Sequence, residues 1–237
     1  MTTDYGAIAG KYKQYTTDQE EGGNSEQWLG RTPARLALGD VRGKVVLDFG
    51  CGPATNGRWL RKNGATVIGL DANSKVIEAA RRHDPYSDYR VYNGLLAEAL
   101  RSEHVDLILM SFSFCTIPDR EIRYILRDMR SILSKGGRLV IADPNQEKAH
   151  GVKYRELHYL SKEDVQAGDY VSVMLGSGEN AILITNDVYR RHVDYRQLLE
   201  EAGFSVEAME EPVPGDDWGN EWAMERMCPP FLLIVAT

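Results

Sequence analysis

The segment Leu47-Asp48-Phe49-Gly50-Cys51-Gly52-Pro53-Ala54-Thr55-Asn56-Gly57 sets two glycines directly after an apolar run that contains a carboxylate. Glycine turns where other residues cannot and lets a ligand approach the backbone closely. Alone, this pattern reads equally as a tight strand-to-helix turn without a ligand. Asp71 changes the balance, because it closes the next apolar run, Thr66-Val-Ile-Gly-Leu70. A carboxylate there accepts hydrogen bonds from both hydroxyls of a ribose. By itself Asp71 is also readable as a helix N-terminal acid favoured by the dipole. The turn and the acid together point to a nucleoside site.

A dinucleotide site would carry a third glycine at position 55, but Thr55 stands there and the next glycine is Gly57. Asp48 would also lie near a pyrophosphate, where negative charge is unfavourable, whereas a positively charged ligand suits it. Thr55 and Asp48 therefore disfavour a nicotinamide-dependent oxidoreductase, which stays as the lesser alternative.

The elements that must position these residues are readable from hydrophobic runs. Residues 44–49, 66–70, 105–110 and 138–142 are strand candidates, and 89–92 is a weaker one. Continuous apolar runs fit a parallel sheet covered on both faces. Ser74 precedes a short helix with Val76, Ile77 and Ala80 on one face. After Asp119, the residues Ile122, Ile125, Leu126, Met129, Ile132 and Leu133 recur at helical spacing, and Gly136 and Gly137 are expected to stop that helix. The alternation predicts right-handed βαβ units in a doubly wound α/β sheet, with ligands beyond the carboxyl ends of its strands. Two segments break the pattern. Residues 1–40 read as a cover of one or two helices, with a polar stretch at 20–25. Within the main unit, 41–237, the insertion 144–193 carries runs at 170–175 and 181–185, joined by Gly176-Ser-Gly178, and predicts a β-hairpin.

The stretch Val46-Leu-Asp-Phe-Gly-Cys-Gly-Pro-Ala-Thr-Asn-Gly57 resembles the first motif of class I S-adenosylmethionine-dependent methyltransferases, and Leu70-Asp71 resembles the second. Leu133-Ser-Lys-Gly-Gly-Arg-Leu-Val-Ile141 is similar to the segment that ends the helix before the family's fifth strand. Asp194-Tyr-Arg-Gln-Leu-Leu-Glu-Glu-Ala-Gly-Phe204 is similar to the helix and turn before the sixth. Ala9-Gly-Lys-Tyr12 resembles the N-terminal Ala-x-x-Tyr helix of the ubiquinone/menaquinone methyltransferase-like branch.

The resemblance implies a mostly parallel, seven-stranded, Rossmann-like sheet and S-adenosylmethionine as cofactor, whose sulfonium and ammonium groups supply the positive charge that Asp48 favours. On this basis Asp48, with the turn Gly50, Cys51, Gly52 and Asn56, holds the methionine end. Tyr12 closes over it, and Arg31 either pairs with the methionine carboxylate or is a surface residue. Asp71 binds the ribose, Ala72 lies against the adenine, and Ser111 sits where cofactor and acceptor meet. Many relatives place a Gly-Asp pair after the third strand. Here the stretch is Asn93-Gly94-Leu95-Leu96, so backbone contacts or apolar packing at Leu95 and Leu96 must serve the adenine.

Methyl transfer is an in-line displacement in which orientation accounts for roughly 7–11 kcal/mol of barrier. A base is needed only where the acceptor must lose a proton. Among the five histidines, His158 and His192 fall in the insertion and are the base candidates, and each also reads as an ordinary surface or hydrogen-bonded histidine. Phe112, Phe114, Tyr154, Tyr159, Tyr170, Trp218 and Trp222 are candidates for an apolar acceptor pocket or for plain core packing.

Nucleic-acid amine methyltransferases carry an Asp/Asn-Pro-Pro-aromatic loop after the fourth strand, whereas this chain has Ser111-Phe-Ser-Phe-Cys-Thr-Ile117. With a net charge of -7 and a pI of about 5.3, that points away from nucleic acid and toward a small-molecule acceptor. Three dispersed cysteines suggest neither a disulfide framework nor a metal site. Neither a secretory leader nor a run long enough to span a bilayer is legible, so the expected location is cytoplasmic, without a membrane partner. The alternative in the same fold is a protein that binds S-adenosylmethionine without transferring methyl, as a binding module or a cyclase.

Overall fold

The computed structural model describes residues 25–100, 103–176, 179 and 181–237. Its strands in chain order are β1 (Val45–Phe49), β2 (Thr66–Asp71), β3 (Asp88–Val91), β4 (Val105–Ser111), β5 (Leu133–Pro144), β6 (Leu157–Tyr159), β7 (Tyr170–Leu175), β8 (Ile182–Val188), β9 (Val206–Glu210) and β10 (Phe231–Ala236). Among the described residues, seven of these form one sheet in the order β3-β2-β1-β4-β5-β10-β9. Strands β1 to β5 run parallel, and β10 lies antiparallel between β5 and β9. The order reverses between β1 and β4, and the crevice beyond their carboxyl ends is where an open α/β sheet receives its ligand.

Helices cover both faces. The Asp119–Ile132 helix follows Pro118, carries Asp119 and Glu121 in its first turn, and buries Ile122, Ile125, Leu126, Met129 and Ile132 at three- and four-residue spacing. Each such side chain contributes about 1.5–3 kcal/mol when fully buried. They pack with Leu47, Ile108 and Ile141 from the sheet. On the opposite face, Ala34, Leu38 and Leu60 pack against Val46, Leu109 and Val140. The described part of the expected N-terminal cover is a π-helical turn, Glu26–Arg31, running into a helix at Thr32–Ala37.

Two local expectations are corrected. The Asp119–Ile132 helix stops before the glycines, and β5 begins at once with Leu133. Val105 pairs with Leu133 but Leu107 pairs with Arg138, so Gly136 and Gly137 serve an irregular strand entry rather than a helix cap. Ser74 is the first residue of the Ser74–His83 helix rather than preceding it, and Asn73 caps that helix, its side chain accepting from the N–H groups of Lys75 and Val76. The expected hairpin is present as the antiparallel pair β7–β8, and β6 adds a third strand to it, giving a sheet in the order β6-β7-β8. Strand β6 spans only Leu157–Tyr159, too short for a period to be read from sequence. Its Leu157 and Tyr159 pack with Val173 and Ile184, and with Leu29, Trp222 and Phe231. This sheet thus lies against the end of the main sheet where β10 starts and β5 finishes.

Candidate active site

The turn after β1 is tied down from two sides. Gly50 and Cys51 donate their N–H groups to the Leu70 carbonyl at the end of β2. The Ser113 hydroxyl, beyond β4, donates to the Phe49 carbonyl at 2.8 Å. Gly50 has φ +74, and a Cβ there would collide with the Ser113 side chain. Gly52 is different: at φ +52, a Cβ would meet nothing within 4 Å. That space is what a bound molecule needs. Gly57, expected as part of the ligand turn, instead makes room for the Tyr89 hydroxyl and donates its N–H to Asp48.

Asp48 is wholly buried on β1, and its Oδ2 has no hydrogen-bond partner among the described residues. Burial pushes its carboxyl up to about 7 against the opposing pull of Arg35, the Asp71 charge adds to the rise, and Arg31 and the Gly57 N–H draw it down. Arg35 binds Asn56 Oδ1 at 3.0 Å and the Thr55 carbonyl at 3.2 Å, so the Asn56 amide fixes Arg35 beneath the turn. Asp71 accepts from Gly52 N at 3.2 Å and from Asn73 N at 2.9 Å. It therefore orders the turn, and each carboxylate oxygen keeps a further lone pair for a ligand.

Ala72 and Leu95 are exposed apolar residues at the ends of β2 and β3, Leu95 at 53%. Leu96, by contrast, is fully buried in the main core, so its side chain is not available to an adenine. The Cys51 side chain packs with Ala54, Ile77, Ala80 and Tyr89 below the turn, leaving only its backbone to face a ligand. Ser111 ends β4 with a buried Oγ that has no hydrogen-bond partner among the described residues. Arg31 is not a surface residue: it is buried, pairs with Glu26 at 3.1 Å and stacks over the Phe112 ring. Tyr12 lies outside the described residues.

Directly past Ser111, Phe112 takes φ +57, a strained conformation for a bulky residue. Gly30 makes room for its ring, where a Cβ would collide with it. Phe112 helps to line a half-open pocket between the main sheet and β6–β8, with Glu26, Cys115, Pro144, Tyr159 and Asp187 among its walls. Of the aromatic candidates, Phe112 and Tyr159 line this cavity. Phe114 belongs to the main core, Tyr154 and Trp222 pack in the cluster under the small sheet with Trp218 at its edge, and Tyr170 is exposed.

The structure does not bring the two histidines to this cavity: neither is one of its walls. His158 alternates with the inward-facing Leu157 and Tyr159, and lines a separate groove with Lys153, Arg155 and Met174. His192 binds Asn145 Oδ1 at 2.9 Å beside Glu211, at the start of the His192–Glu201 helix. Sequence reasoning missed Glu26, Arg35, Ser113 and Asp187. No sequence signal singles out Asp187, which follows Thr185 and Asn186 in β8.

The site suits S-adenosylmethionine on its own features: an unpartnered buried carboxylate oxygen for a cation, open space at Gly52, a carboxylate at the ribose position and exposed apolar residues for a base. Residues 24–209 match a family described as "Methyltransferase domain". The chain is 28% identical over 199 residues to N-demethylindolmycin N-methyltransferase of Streptomyces griseus, covering 81% of this chain and 80% of that protein. It is 28% identical over 192 residues to trans-aconitate 2-methyltransferase of Delftia acidovorans, covering 73% and 70%. In fold it is similar to an S-adenosylmethionine-dependent methyltransferase from Mesorhizobium loti, with a TM-score of 0.67 at 22% identity over 90% of this chain and 98% of that one. With that match over most of its length, and with the glycine turn, Asp48 and Asp71 at the switch point of the sheet, the chain belongs to the methyltransferase-domain family, as a class I S-adenosylmethionine-dependent enzyme.

Proposed function

We propose that the enzyme methylates a small molecule bound in the cavity between Phe112 and the β6–β8 sheet. The observation that carries this reading is the place of the cavity, directly beyond the buried Ser111 Oγ at the carboxyl end of β4. The relatives named for small acceptors, and the -7 charge, support it over a nucleic-acid substrate.

S-adenosylmethionine, when bound, supplies a methyl carbon already activated by sulfonium. The chain's own residues do the rest. Asp48 and the Gly50–Gly52 backbone receive the methionine end, Arg31 faces its carboxylate, Asp71 takes the ribose hydroxyls, and Ala72 and Leu95 flank the base. Residues 1–40 and the insertion at 144–193 act as the cover that excludes water and orients the acceptor. Incubating the protein with S-adenosylmethionine and fractionated metabolites tests this. Adenosylhomocysteine should accumulate only with a low-mass fraction. Cofactor binding without turnover on any fraction would instead favour a binding protein.

A further inference from the structure

Asp187 is the carboxylate that β8 contributes to a largely apolar pocket, whose other acid, Glu26, is paired with Arg31. It is 3% exposed and lines the Phe112 cavity, and among the described residues it has no salt-bridge partner. Arg190 lies near, but its guanidinium is engaged by Asp119 and the carbonyls of Phe114 and Ile117. A buried carboxylate without a paired cation is costly unless something positive or a proton compensates it.

The backbone turns Asp187 inward deliberately. Val173 pairs with Ile184 but Val171 pairs with Asp187, so β8 carries one extra residue between them. Regular alternation from Ile184 would send Asn186 to the inner face. The bulge sends Asp187 there instead, beside Ile184 on the same cavity. Among the other walls, Leu157, Val173, Leu175, Phe112 and Phe231 suit an apolar body.

We propose that the methyl acceptor is an amine on an apolar body, and that Asp187 receives its ammonium group and takes the proton that must leave before nitrogen can attack. This rests on the cavity being the acceptor site. The ammonium N–H bond breaks and its proton passes to the Asp187 carboxylate. The freed nitrogen lone pair forms the new N–C bond, while the donor sulfur keeps the electron pair of the breaking S–C bond. Nitrogen then bears the positive charge that sulfur gives up, and Asp187 releases its proton to solvent as the product leaves. Burial pushes Asp187 up to about 7, the Cys115 thiol and Arg190 oppose that, and Glu26 adds to it. These groups, with Asp143 behind Cys115, Tyr159 on β6 and Arg31 behind Glu26, are the charged and titratable neighbours that face it.

The test uses the full chain with S-adenosylmethionine and three matched probe sets: benzylamine and phenethylamine, the alcohols of the same skeletons, and the corresponding carboxylic acids. Adenosylhomocysteine formation and the mass of the methylated product are read for each. Amines should be methylated at least 10-fold faster than either other set. Asp187→Asn should lower kcat on amines about 100-fold, the scale of a lost general base, and should remove the rise of kcat with pH near 7. Adenosylhomocysteine binding to that variant should be unchanged, which separates a damaged acceptor site from a damaged fold. Turnover of alcohols or acids in preference to amines would overturn the amine assignment and leave the small-molecule reading intact. Turnover of none of the sets, with the cofactor bound, would overturn both. Should Asp187→Asn fail to fold, the probe comparison on the unaltered chain decides alone.

Discussion

The Arg31 guanidinium stands 3.1 Å from the Glu26 carboxylate, and the pair joins two parts of the site. Glu26 is a wall of the Phe112 cavity, while the charge of Arg31 reaches Asp48 on β1. Arg31→Ala should therefore push the Asp48 carboxyl higher and weaken cofactor binding near pH 7 by about 10-fold, on the scale of one charged contact. Calorimetric titration of the variant against pH checks this: the midpoint of the binding curve should move to higher pH.

Gly50 and Gly52 should respond differently to substitution. Gly50→Ala drives a Cβ into Ser113 at a left-handed φ and should lower the melting temperature clearly, with or without ligand. Gly52→Val carries only the strain of its φ, on the order of 1–2 kcal/mol, because the space beside it is open. Its main effect should be loss of cofactor binding. Thermal melts and calorimetry on both variants distinguish the two roles.

Asp71→Ala should weaken cofactor binding by about 1.5–3 kcal/mol, the worth of a hydrogen bond to a charged group. Because Asp71 also holds the Gly52 and Asn73 N–H groups, the unliganded protein should lose several degrees of melting temperature as well. Unchanged binding would reduce Asp71 to a loop anchor.

Stability should depend on pH in a definite direction. Burial raises Asp48 and Asp187 to about 7 and Asp143 to about 8, from an ordinary value near 3.8. Between about 4 and 8, the unfolded chain has released these protons while the folded chain still holds them. The unfolded state then binds fewer protons, so these groups make stability fall as pH rises through that window. The melting temperature of the unliganded protein should decline from pH 5 to pH 8. A positively charged ligand favours ionised Asp48, so cofactor binding near pH 6.5 should release protons. Titrations in two buffers of different ionisation heat measure that release, and Asp48→Asn should abolish it.

The strands that place the cofactor turn were legible because they are buried on both faces, and a parallel sheet of that kind writes itself as unbroken apolar runs. Asp48 and Gly52 were legible because carboxylate and backbone turn are neighbours in sequence, and Asp71 because it closes the next apolar run. The acceptor side was not. Its walls come from the turn at Glu26, the loop after Ser111 and strands β6 to β8, which only tertiary packing brings together. Asp187 faces inward through a one-residue bulge that no alternation pattern announces. For the same reason, His158 and His192 drew notice as residue types, while the fold carries one to a separate groove and engages the other with Asn145.

The central claim is that the turn from Asp48 to Gly57 binds S-adenosylmethionine. Calorimetric titration of the full chain with adenosylhomocysteine, with NADH in a parallel cell, tests it most directly. The account predicts saturable 1:1 binding of adenosylhomocysteine, none of NADH, and loss of the adenosylhomocysteine signal in folded Gly52→Val. Absence of heat and of thermal shift with adenosylhomocysteine, or undiminished binding to Gly52→Val, would contradict it.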